Sequence, residues 1–72
     1  MTFGQRACGE SINPGGNQTV AHIKGLYADV VDMLHAQRER ATDPEVKRML
    51  SIAITDTQTA QMWAVKAVTW NL

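Results

Sequence analysis

The run from Ala60 to Trp70 carries more apolar surface than one helix face can hide, and it sits in a chain of only 72 residues. On a helical wheel, Ala60, Ala64 and Ala67 form one stripe, Trp63 and Trp70 a second, and Met62 with Val65 a third. A helix that is apolar on several sides is buried on several sides. One other long element is all a monomer of this size can offer it, so the remaining stripes are expected to meet other copies or a partner.

Length sharpens that expectation. A core of this size rarely supplies more than about 3–5 kcal/mol without help. Disulfides cannot add to it, because Cys8 is the only cysteine. A metal is not expected either, since Cys8, His22 and His35 lack the close ligand spacings that zinc sites use. Homo-oligomerisation remains as the supplement.

A lone cysteine fits a reducing compartment, and the opening residues are too polar for a secretory signal, so a cytoplasmic location is expected. No stretch reaches the roughly 18 apolar residues of a membrane span. The formal net charge of +0 offers no broad basic field for duplex nucleic acid, although a local basic pocket would still attract a compact anion.

The chain divides into two units. Residues 1–17 hold four of the five glycines and end in the turn-forming series Asn13, Pro14, Gly15, Gly16, Asn17, which reads as an irregular arm or a frayed terminus. Residues 18–72 read as an antiparallel helical hairpin. Its first helix, about residues 18–40, follows from Val20, Ile23, Tyr27, Val30 and Leu34, with Val31 and Met33 widening the stripe. Asn17 or Thr19 is placed to cap it. Thr42, with Glu45 at capping-box spacing, and Pro44 in a first turn restart the chain. The second helix, about residues 44–69, has Val46, Leu50, Ala53, Thr57, Ala60, Ala64 and Ala67 as its seam. The short connection makes the helices antiparallel, and a 25-residue helix spans roughly 37 Å. The fold class is therefore all-α, with Ile52, Met62, Trp63, Val65 and Trp70 left wet to form an oligomer interface.

No catalytic constellation is visible, so an enzyme is not expected. Ser11 and Ser51 lack a nucleophile elbow. His22 and His35 lie thirteen residues apart, roughly 20 Å along one helix, too far to share a metal or a proton. His35 reads as solvated, and Asp29 and Asp32 fall on the polar side of the first helix. Lys24 and Gly25 say more. A lysine near a helix start preceded by Gly-Gly-Asn sits where the dipole already favours an anion. Glycine costs about 1 kcal/mol relative to alanine inside a helix, which suggests close approach by a second helix or a ligand at Gly25. His22 is a neighbouring contact candidate.

Two segments together resemble a phage family. Residues Ile12 to Asn17, followed by Val20 to Lys24, are similar to its Asn-Pro-Ser-Gly opening and Ile-Lys helix start. Residues Ala53 to Asp56, followed by Ala60 to Ala67, resemble its second-helix signature, the Met-Trp-Ala-Val-Lys-Ala stretch being the most specific part. The family is the short helical-hairpin proteins of bacteriophages that include the anti-CBASS sponges, and the resemblance spans about residues 12–70.

The resemblance implies non-catalytic sequestration of cyclic di- or trinucleotide second messengers, blocking bacterial defence signalling from within the host cytoplasm. It implies assembly into a compact oligomer, often a hexamer, with intact ligand held between protomers. It places a phosphate on Lys24 and a base at Ile12; beside these, Asn13 is expected to hydrogen-bond a base or phosphate and Arg6 to serve as a second cation. Ile12 stands where the family has a stacking aromatic, for which Phe3 or Tyr27 is a substitute. Ile54 stands where some sponges have an arginine that helps form a trinucleotide site, which makes a dinucleotide the better expectation. The alternative function is an oligomeric hairpin module that binds a host or phage protein through its exposed helices.

Overall fold

A computed structural model describes residues 1–71. Three helices follow in order: α1, Phe3–Ala7; α2, Gln18–Arg40; and α3, Pro44–Val68. There is no strand among the described residues. The helices α2 and α3 form the hairpin. Their antiparallel sense follows from who meets whom: Arg38 donates to Ser51 Oγ at 3.1 Å near the turn, and Ala28 and Val31 cluster with Ile54 further along. The extents, 44 × 21 × 13 Å, are those of a long, thin body. None of the described helices is long and apolar enough to cross a membrane.

Asn17 caps α2, its side chain accepting the Val20 N–H at 3.0 Å. The cap of α3 is Asp43 rather than Thr42: its carboxylate accepts the Glu45 N–H at 2.9 Å, with Pro44 just inside the helix. Aspartate there also carries the negative charge that a helix N-terminus favours.

The arm departs from the expected irregular segment. Thr2 and Gln5 form a capping box around α1, with Gln5 N–H on Thr2 Oγ1 at 3.0 Å and Thr2 N–H on Gln5 Oε1 at 2.8 Å. Five residues do not hold a helix alone in water, so docking on α2 must supply the rest. Gly4 makes that docking close: a Cβ on it would stand 2.1 Å from the Ala28 carbonyl oxygen. Its N–H donates to Asp32 Oδ1 at 2.7 Å. Phe3 stacks on His35, centroids 4.2 Å apart, and Arg38 lies 5.6 Å from the Phe3 centroid and 3.2 Å from His35 Nδ1. Asp32 and His35 are thus docking residues for the arm, not the solvated side chains their helical positions suggest.

A docked arm also rotates the buried stripe. Val20, Lys24, Ala28 and Val31 are the buried residues of α2, whereas Val30 and Met33 are 48% and 69% exposed. On α3 the centre is Ile54 and Gln61, while Ala60 and Ala67 lie exposed. The core is Cys8, Ala28, Val31 and Ile54, flanked by Ala7, Tyr27 and Leu34. Cys8 comes from the arm, so all three segments contribute to one core. Of the residues expected to be wet, Val65 is half-buried, while Ile52, Met62, Trp63 and Trp70 are exposed.

Candidate functional site

The arm walls three open grooves, and they divide the candidate residues among them. The first, about 420 Å³, lies between the arm and α3 with Lys24 of α2 in its lining. Ala7, Cys8, Gly9 and Ile12 form the arm side, and Gln61, Met62, Val65 and Lys66 the α3 side. That volume falls within the range of small-molecule sites.

Lys24 is 8% exposed, and no carboxylate pairs with it among the described residues. Its ammonium donates instead to two backbone carbonyls of the arm, Gly9 at 3.0 Å and Ile12 in a short contact. Gly9 adopts φ 61°, a left-handed conformation that frees its carbonyl to face the helix. An ammonium has three N–H donors, and two of them are engaged by these carbonyls, which leaves one to give. No aspartate or glutamate lines this groove, but a second lysine, Lys66, does.

Beside these cations sits Cys8, 3% exposed. Burial pushes its thiol above the usual range, the carboxylates of Glu10 and Asp32 push in the same direction, and Lys24 opposes them. The thiol is therefore a neutral packing group at physiological pH and not a nucleophile.

The second groove, about 330 Å³, is lined by Gln5 and Glu10 of the arm with Ala21, His22, Gly25, Leu26 and Asp29 of α2. Here both charged residues are acids. His22 and Gly25 face this side, away from Lys24. Nothing lies within 4 Å of a Cβ built on Gly25, so the close approach expected there does not occur within the chain. The third groove, about 520 Å³, runs along Phe3, Arg6, Ala7 and Gln58. It holds Arg6, which lies apart from the Lys24 lining. Gln58 closes its floor by donating to the Ala7 carbonyl at 3.2 Å.

Of the candidates, then, Lys24 and Ile12 share a groove, and Asn13 staples the turn beside it, its Nδ2 donating to the Asn17 carbonyl at 2.9 Å. Phe3 is occupied by its stack with His35, and neither Phe3 nor Tyr27 lines the Lys24 groove. Gln61 and Lys66 were missed from sequence. Both lie in the Ala60–Ala67 stretch that carries the family resemblance, but that stretch was read for the helix and its interface; the arm opposite them marks them as groove residues.

A family model described as the Acb2/Tad1 hairpin domain matches residues 7–69. No curated protein and no solved structure matches the chain.

Proposed function

The chain belongs to the Acb2/Tad1 hairpin family, the anti-CBASS cyclic-oligonucleotide sponges, and on that premise we propose that it sequesters a cyclic oligonucleotide second messenger intact, in the groove of Lys24. The observation that carries this reading is the buried ammonium of Lys24, without a carboxylate partner, in a groove that holds a second lysine and no acid. A compact anion is the complement of that groove. Lys24 directs its remaining proton to a phosphate, and Ile12, 67% exposed, gives a base an apolar shelf. Asn13 holds the turn that positions Ile12. A cyclic dinucleotide is the ligand proposed, because Ile54 is buried under the arm and cannot act as the surface cation of a trinucleotide site.

The groove is open, so one chain cannot enclose a ligand. A homo-oligomer, proposed as a hexamer in the host cytoplasm, supplies the missing wall. Exposed Ile52, Met62, Trp63 and Trp70 on α3, with Leu26, Val30 and Met33 on α2, are the surfaces it would cover. Arg6, His22 and Gly25 face other grooves, and this reading gives them no contact with the ligand held at Lys24. Sequestration needs no bond to break, and none of the residues of the groove forms a nucleophile and base pair.

The test is calorimetric titration of the purified protein with cyclic di- and trinucleotides, followed by heat release and identification of what was held. Sub-micromolar binding with intact ligand recovered is the expected result. No binding across the panel overturns the reading and passes the exposed helices to a protein partner.

A further inference from the structure

Gln61 is the most buried polar side chain of the hairpin, 5% exposed, and its carboxamide has no hydrogen-bond partner among the described residues. An amide carries two donors and an accepting oxygen. These atoms are not sealed in the interior, where the buried side-chain atom without a partner is Glu10 Oε2, so water meets them in the free protein and a ligand group can take its place. The open direction for Gln61 is the Lys24 groove, which it lines.

One turn further along α3 lies Lys66. Its ammonium sits 5.5 Å from the Trp63 ring centroid and 5.9 Å from that of Trp70, and it too has no carboxylate partner among the described residues. The two rings hold a cation without neutralising it. Lys24 has already committed protons to two carbonyls of the arm, so Lys66 is the cation of this groove with most capacity to spare.

We propose that Gln61 and Lys66 form the ligand-reading pair of the groove, the Gln61 carboxamide taking a nucleobase edge and Lys66 a phosphate, while Lys24 chiefly fixes the arm and holds the other phosphate. This rests on the cyclic-nucleotide reading above and adds its second wall. A donor and an acceptor side by side match the hydrogen-bonding edge of a base, as glutamine does on adenine. Five residues turn a helix by roughly 140°, so the two side chains reach the groove from different faces, buried Gln61 and exposed Lys66 both lining it.

The experiment titrates cyclic di-AMP and cyclic di-GMP into the wild type, Gln61→Leu and Lys66→Gln, at two salt concentrations, with oligomer mass and helix content measured for each. Both variants are expected to bind the preferred dinucleotide at least tenfold more weakly at unchanged mass. Lys66→Gln is also expected to show a shallower salt dependence, as loss of one phosphate contact requires. Should Gln61→Leu fail to fold, Gln61→Glu keeps size and polarity, removes the N–H donors and sets a like charge against phosphate, with the same weakening expected. Wild-type binding with either residue's variants within twofold overturns this pair and leaves the sponge reading standing. Wild type that binds neither these nor any other cyclic nucleotide overturns both.

Discussion

The two grooves that flank α2 share the arm as a wall and differ in sign. One is lined by Lys24 and Lys66 with no acid, the other by Glu10 and Asp29 with His22 its sole basic side chain. Lys24 and Gly25 are adjacent in sequence and point into different grooves, because consecutive residues on a helix are turned by about a quarter of a circle. The two cations of the basic groove thus face one side of one helix and the acids the other, while the net charge of the chain stays at +0. Local arrangement, not overall composition, sets the sign of each groove.

The largest effect should come from removing the wall they share. In Gly4→Ala the new methyl meets the Ala28 carbonyl oxygen at 2.1 Å, backbone that cannot step aside. Overpacking of this kind costs about 1–3 kcal/mol, although alanine is the better helix former in α1 by about 1 kcal/mol. A thermal melt should show a clear loss of stability, and titration should show nucleotide binding lost together with the arm. Binding retained in this variant would mean that the hairpin alone makes the site.

Next in size is the contrast between neighbours on α2. Lys24→Ala removes a charged partner to phosphate, worth about 1.5–3 kcal/mol, or roughly ten- to hundredfold in affinity. His22→Ala, in the acidic groove, should bind within twofold of wild type. Oligomer mass measured by light scattering should be the same in both. The reverse pattern, with His22 essential and Lys24 dispensable, would move the ligand to the other side of the helix.

How much of this was legible in sequence depends on the range of the interaction. The hairpin was, because Pro44 and the three-and-four spacing of apolar residues are local signals. The arm was not. Its glycines and Pro14 read as turns, yet Gly4 serves for close approach to Ala28, a pairing 24 residues away that no local pattern contains. Missing it misplaced the seam as well: Val30 was assigned inside and Lys24 to the surface of a pocket, whereas the arm buries Lys24 and leaves Val30 out. Lys24 was singled out all the same, since its resemblance to the Ile-Lys helix start did not depend on packing. Gln61 and Lys66 needed the arm in place before their shared groove existed.

The smallest effect reads both grooves at once through Cys8. The thiol lines the basic groove, while one of the carboxylates that raise its pKa, Glu10, lines the acidic one. A folded-state pKa above the unfolded value gives stability that is present in full below the unfolded thiol's range and lost as pH rises through the folded one. The difference in melting temperature between wild type and Cys8→Ser should therefore narrow on the alkaline side and stay constant in acid. Thiolate absorbance, titrated against the Cys8→Ser background, should begin at lower pH in Glu10→Gln, where a repelling charge is gone, and at higher pH in Lys24→Ala, where the opposing cation is gone. Opposite shifts from the two variants require that both side chains lie near enough to act on one thiol, the acid of one groove and the cation of the other. Shifts of the same sign would mean that the arm moves in one of them, and that the two grooves do not exist together as described.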